Sequence, residues 1–417
     1  MSAGAQDGKP VFIDSGTYRI TETIYIPSGS KLVGESYPVI MSSGGAFANM
    51  EYPRAVIQVG KPGETGNAEL SDIVIATQGA QPGALLIEWN LDSSGEPSGI
   101  WDVHTRIGGF AGSKLQLADC PATPGSAPGT NSTTSNSTTP ASPTGTASAS
   151  NPSHSSQTGP YSNSTSSSSS NSSKIDTSCI GAFMSMHVSK TASGLYMENN
   201  WLWTADHDLD AHFTNITVYS GRGLYIESEK GNIWTVASSV EHHALYQYQL
   251  ANTKDIFMGQ IQTETAYYQP HPDISAPFSA VATLNDPTDA AVCRTNGTNC
   301  DGWGLRILDS QNVNVYGAGL YSFFNDYNNC KTPTLLYLPI LYPLLINEQT
   351  ACSFPINGET CQSSIFSIEG PKTKNINVYN LNTVGAISMI DLDGVSVARF
   401  ADNVDVFPDT IAAFRLE

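Results

Sequence analysis

The sequence predicts an all-β chain wound as a parallel β-helix, and three observations carry that expectation. Charged residues make up only 14% of the chain, while Gly, Ser, Thr and Asn are abundant. This composition suits a turn-rich β protein rather than helices faced with Glu/Lys pairs. No apolar period of 3.6 residues is sustained over a long stretch. A short segment also recurs: Leu-Ser-Asp-Ile-Val-Ile (70–75), Phe-Thr-Asn-Ile-Thr-Val-Tyr (213–219), Thr-Lys-Asp-Ile-Phe-Met (253–258), Ser-Gln-Asn-Val-Asn-Val-Tyr (310–316) and Thr-Lys-Asn-Ile-Asn-Val-Tyr (373–379). Each is a polar turn, an Asn or Asp, then a short alternating strand rich in β-branched residues. Asn and Asp tolerate the left-handed region and bond their own backbone, which suits a tight corner. The alternation turns one apolar face inward. Gaps of 40, 57 and 63 residues, from Asn215 to Asp255, Asn312 and Asn375, approximate multiples of a rung of about 20 residues carrying insertions. A β-sandwich or propeller is the competing architecture.

Residues 1–120 form the first part of the predicted solenoid, with the first strand-like run starting near Val11. No apolar leader precedes it, so N-terminal sequence is expected to be missing. Residues 121–178 are almost wholly Ser, Thr, Asn, Pro, Gly and Ala. Such a stretch buries too little apolar surface to offset its ordering entropy, and a disordered, O-glycosylated loop is expected there. Residues 179–417 form the second part.

The seven cysteines show no zinc-site spacing and read as local disulfides: Cys120–Cys179 around the insert, Cys293–Cys300 and Cys352–Cys361, with Cys330 left over. Six Asn-x-Ser/Thr sequons begin at Asn131, Asn136, Asn163, Asn171, Asn215 and Asn296. Together these features favour the secretory pathway and an extracellular protein. The apolar run Thr334–Ile346 holds two prolines and is too short to span a membrane. The segment Lys331–Thr350 that contains it interrupts an expected loop, and a retained intron or gene-model error is one reading of it.

Two glutamates stand out in this frame. Glu241, in Glu-His-His-Ala-Leu-Tyr-Gln-Tyr (241–248), precedes Glu264, in Ile-Gln-Thr-Glu-Thr-Ala-Tyr-Tyr-Gln-Pro (261–270), by 23 residues. A rung of that length stacks the two carboxylates on neighbouring rungs, and a carboxylate pair is what glycoside hydrolysis needs. Asp206, Asp208 and Asp210 share the spacing that opens an EF-hand loop, but its glycine and twelfth-position Glu are absent, so no metal is expected. His207, His242 and His243 read as structural hydrogen-bonding groups.

These two motifs, preceded by Trp-Thr-Ala-Asp-His-Asp-Leu-Asp (203–210), resemble the second half of glycoside hydrolase family 55, the fungal exo-β-1,3-glucanases. The resemblance runs from Val-Phe-Ile-Asp-Ser-Gly-Thr-Tyr (11–18) and Lys-Leu-Val-Gly-Glu (31–35) to Asp-Thr-Ile-Ala-Ala-Phe (409–414). It implies a right-handed, single-stranded parallel β-helix, the C-terminal of two in such enzymes, and inverting attack on the non-reducing end of β-1,3-glucan. By the same resemblance Glu264 matches the general acid and Glu241 the carboxylate that polarises the attacking water. Trp203, Asp206 and Tyr267 match substrate-lining residues, Trp203 offering a flat face to a sugar ring. No cofactor is required. The absence of an N-terminal β-helix implies little or no glucanase activity for this chain alone.

The net charge of −19 repels phosphate backbones, which argues against a nucleic-acid partner and suits a neutral sugar polymer such as laminarin. Two other functions share the fold: a non-catalytic glucan-binding β-helix, and a pectin-type lyase or polygalacturonase. The second is disfavoured, because enzymes of acidic polymers expose Lys and Arg, which total only 19 here.

Overall fold

The computed structural model describes residues 9–122, 175–288, 301–327, 361–403 and 409–417. Their strands pair parallel from rung to rung. A 14-stranded sheet runs through Val11–Ile13, Ser30–Gly34, Ala68–Thr77, Ser98–Ile107, Leu195–Glu198, Ile233–Val236, Lys254–Glu264, Gln311–Tyr321 and Lys374–Val384, and Asp409–Leu416 closes it antiparallel. An 11-stranded sheet includes Arg54–Val59, Ala84–Trp89, Ile180–Val188, Tyr219–Ile226, Tyr246–Ala251 and Trp303–Leu308 in the same rung order. This is a parallel β-helix, as the sequence predicts. Its core is made of like residues stacked in register: Ile256 on Val313 on Ile376, and Met258 on Val315 on Val378, all buried. Burial on both faces would demand continuous apolar runs; here the outward positions stay polar or aromatic, so the strands alternate.

Long strands bend at a column of left-handed residues. Asp72, Asp102, Asn199, Ala237, Gln260, Gly317 and Asn380 all have positive φ and fall between the paired segments of successive rungs. In Lys254–Glu264 the outward positions are therefore Phe257 and Gly259 before the bend, and Gln262 and Glu264 after it. A second column holds Asn232, Asp255, Asn312 and Asn375, also left-handed. There Asn375 Nδ2 donates to Asn312 Oδ1 and Asn312 Nδ2 to Asp255 Oδ1, each at 2.8 Å.

The recurring segments thus sort into two corners, with Asp72 at one and Asp255, Asn312 and Asn375 at the other. Asn215 belongs to neither, because Thr214–Asn215 folds back antiparallel on His207–Asp208.

Cys120 and Cys179 are joined by a disulfide, and the described residues on both sides of the insert belong to one compact unit. Cys361 is buried. Its expected partner Cys352, the pair Cys293 and Cys300, Cys330, segment 331–350 and nearly all of the predicted insert lie outside the described residues. Among the described residues no helix is long and apolar enough to cross a membrane.

Candidate functional site

The site grows from the outward positions just past the bend. Register pairs Arg106 with Trp203, Trp203 with Glu241, Glu241 with Glu264, and Glu264 with Tyr321. The two glutamates therefore occupy neighbouring rungs of one column, as their spacing predicts. A second outward column, two residues earlier, holds Trp201, Ser239, Gln262 and Gly319.

The carboxylates turn toward different donors. Glu241 accepts from the Trp201 indole N–H at 2.8 Å and from the Ser239 hydroxyl at 2.5 Å. Glu264 accepts from the Tyr267 hydroxyl at 2.5 Å and from Gln262 Nε2 at 3.3 Å, with His242 Nε2 at 3.4 Å. Ser239 also contacts the Gln262 side-chain oxygen. A hydroxyl has one proton, so Ser239 cannot donate to both. One proton shared by the two carboxyls gives every bond in the chain Glu241–Ser239–Gln262–Glu264 one donor and one acceptor, either on Glu241 or, with the Gln262 amide turned over, on Glu264. Burial, reinforced by neighbouring Glu264, pushes the Glu241 carboxyl above its ordinary range despite the opposing pull of His242, Ser239 and Trp201.

His242 is central and was read from sequence as merely structural. Its Nδ1 lies 3.0 Å from the Thr204 carbonyl oxygen and 3.4 Å from Asp206 Oδ1, and its Nε2 faces Glu264. Burial alone would keep the imidazole neutral. The carboxylates of Asp206, Glu264 and Glu241 outweigh burial and hold its pKa at about 9. His243, its neighbour, is buried among neutral partners, Ser185 and Gln247, and burial pushes it down to about 3. Asp206 resists the upward push of its own burial because His242 and His207 flank it, and its carboxyl is held below the usual range. Burial first, then Glu264, pushes the Tyr267 phenol far up, so it stays a hydrogen-bond donor. The ring is held between the edge of His242 and Phe324, with centroids 4.7 and 4.1 Å away.

Trp203 departs from its expected place. It is only 2% exposed, enclosed between Trp201 and His207, and its indole N–H donates to Asp206 at 3.2 Å. It offers no open face to a sugar, because the Ala205–Asn215 turn lays His207 over it. The three aspartates that resemble a calcium loop also have separate tasks. Asp206 holds the histidines, buried Asp208 accepts from the Leu117 and Asp210 amides, and Asp210 accepts from the Ala111 amide. Ser239, Gln262 and Tyr321 were not singled out in the sequence. The signal was available in strand alternation, which places the residue two before each glutamate on the same outward face.

Known proteins resemble this chain along almost all of it. A glucan 1,3-beta-glucosidase of Cochliobolus carbonum is 37% identical over 413 residues, 99% of this chain and 42% of that protein. A probable glucan endo-1,3-beta-glucosidase of Arthroderma benhamiae is 36% identical over 97% of this chain and 38% of its own length. A non-secreted LysM effector of Penicillium expansum is 31% identical over 97% of this chain and 22% of its own. The chain thus spans less than half the length of these curated relatives. No protein-family model matches the sequence. Among solved structures, sacteLam55A from Streptomyces sp. SirexAA-E superposes with a TM-score of 0.52 over 99% of this chain and 52% of that one; at 14% identity the likeness concerns the fold. The similarity to fungal glucan 1,3-beta-glucosidases along nearly the whole chain, and the shared fold of that bacterial protein, are consistent with the resemblance to glycoside hydrolase family 55.

Proposed function

We propose that this chain carries the carboxylate pair of a β-1,3-glucan hydrolase that acts from the non-reducing end with inversion. The observation that carries the reading is the pairing of Glu241 with Glu264 on adjacent rungs, their side chains turned to different donors. Adjacent parallel strands lie about 4.8 Å apart. Side chains that diverge from such a pair approach the roughly 6.5–9.5 Å that leaves room for a water beside the sugar. Glu264 protonates the leaving oxygen, and Glu241 polarises the water. The Ser239–Gln262 bridge accommodates one proton on either carboxyl: with the Gln262 amide turned so that Nε2 donates to Ser239, the proton sits on Glu264, where it is available to the glycosidic oxygen, and Ser239 donates to ionised Glu241. Asp206 and Tyr267 act through His242 and Glu264, as groups that hold the acid in place. The Cys120–Cys179 disulfide supports an extracellular setting.

Laminarin hydrolysis, followed by proton NMR of the first-formed anomer, tests the reading. Any glucose released, however slowly, is expected as the α-anomer from the chain end; β-glucose would refute inversion, and internal cleavage would refute end-directed action. Roles are separated by substitution. Glu264→Gln should lower turnover of laminarin about 10²–10⁴-fold, yet retain activity on an aryl β-glucoside whose leaving group needs no acid. Glu241→Ala should be rescued by azide. The reverse pattern would exchange the two roles. Laminarin binding without any turnover would instead make the chain a glucan-binding β-helix.

A further inference from the structure

The outward column continues past Glu264 to Tyr321, its register partner on the next rung. The Tyr321 ring does not stand out from the sheet. It folds back along its own strand over Gly319, where an added Cβ would overlap the phenol oxygen and come 2.7 Å from Cζ. The backbone at Gly319 does not call for glycine, since it lies outside the positive-φ positions; the ring above it does. The same device recurs on this sheet, with Trp101 over Gly99 and Phe257 over Gly259. Of the three rings, Tyr321 alone is paired with a carboxylate of the site.

The surroundings of that ring are polar. Gly319 is in register with Gln262 on one neighbouring rung and Asn382 on the other. A half-buried ring is therefore laid along the strand, with side-chain amides on both flanks and Glu264 beside it. This combination matches a pyranose, whose apolar C–H face packs on an aromatic ring while its hydroxyls meet amide donors and acceptors.

We propose that Tyr321, seated on Gly319, is the stacking platform for the glucosyl unit on the leaving-group side of the carboxylate pair. The proposal rests on the glucan reading given above. The column order Trp203, Glu241, Glu264, Tyr321 puts the platform beyond the acid as seen from the water-polarising carboxylate, so the sugar it holds is the one that departs. It also supplies a partly exposed aromatic ring where Trp203 is buried.

The test is calorimetric titration of the full chain with laminaritriose, with a thermal melt of each variant as a folding control. Tyr321→Ala should weaken binding about tenfold, the size of effect expected for one lost apolar contact in a sugar site. Tyr321→Phe should bind within about twofold of the unaltered chain, because the ring and not the hydroxyl forms the platform. Gly319→Ala should weaken binding as well, by lifting the ring off the strand while leaving Tyr321 in the chain. If Tyr321→Ala binds as tightly as the unaltered chain, the platform is overturned and the glucan reading stands. Equal losses in Tyr321→Ala and Tyr321→Phe would also overturn stacking, in favour of a hydroxyl contact. Failure of the unaltered chain to bind laminaritriose would overturn the glucan reading, and the platform with it.

Discussion

His242 shows how a buried imidazole is kept charged by what faces it. Asp206, Glu264 and Glu241 surround the ring, and together they raise its pKa from the ordinary 6.5 to about 9 against the pull of burial. The folded chain therefore holds that proton more tightly than the unfolded chain. The stabilisation is complete below pH 6.5 and is lost as pH rises through about 9. Glu241, whose carboxyl is also raised, has the same sign: its contribution fades as pH rises through its folded value. Asp206 has the opposite sign, because a lowered carboxyl contributes above the ordinary 3.8 and loses that contribution as pH falls. Urea unfolding of the unaltered chain and of His242→Gln tests this. The stability margin should be on the order of 3 kcal/mol at pH 6 and should shrink toward pH 10. A margin that does not change with pH would show that His242 acts by shape and its Thr204 bond alone. The central role of His242 was hard to read from sequence, because two of its three carboxylates come from other rungs. The glutamate pair was legible because its spacing is that of one rung.

At the level of elements, the segment after Glu264 crosses the outer face of the smaller sheet and brings a carboxylate to a buried cation. Arg222 and Asp286 have fully buried side chains and form an ion pair, with Arg222 also 4.1 Å from the Phe183 ring centroid. Removing one partner strands the other charge away from water. Asp286→Asn should cost about 3–5 kcal/mol by denaturant unfolding, whereas Arg222→Met combined with Asp286→Leu should cost far less. Equal losses in the single and double variants would show that packing of the segment, and not the stranded charge, sets the cost. This pair was invisible in sequence, since 64 residues separate its members and no local pattern links them. The Cys120–Cys179 pairing was legible, because the two cysteines bracket a stretch with almost no large apolar residues. That disulfide closes a sequence separation of 59 residues. Replacing both cysteines by serine should lower stability by about 4 kcal/mol on loop-closure grounds, measured by chemical denaturation. A loss below about 1 kcal/mol would mean that the reduced chain already keeps these ends together.

Over the whole molecule, the parallel β-helix was legible because its signals repeat. Each polar corner followed by an alternating strand restates the same local rule, and errors in one copy are outvoted by the others. Assignment of copies to corners was less legible. Asp72 and Asp255 look alike in sequence yet occupy different bends, since a left-handed Asp suits either. Charge also belongs to this scale. The sequence has 38 acidic and 19 basic residues, and two of those cations, Arg222 and Arg306, are buried in ion pairs with Asp286 and Glu369. The surface field is therefore negative, which opposes a polyanion and is indifferent to a neutral glucan. Laminarin affinity should change less than about twofold between low and high salt, because neither partner releases counterions, and polygalacturonate should not bind at either. Biolayer interferometry with each polymer immobilised measures both. Polygalacturonate binding that weakens with salt would require a basic groove and would favour a uronate-directed enzyme on the same fold. Salt-insensitive laminarin binding assigns recognition to ring stacking and hydrogen bonds at the carboxylate column, where aromatic, amide and carboxyl groups meet in register.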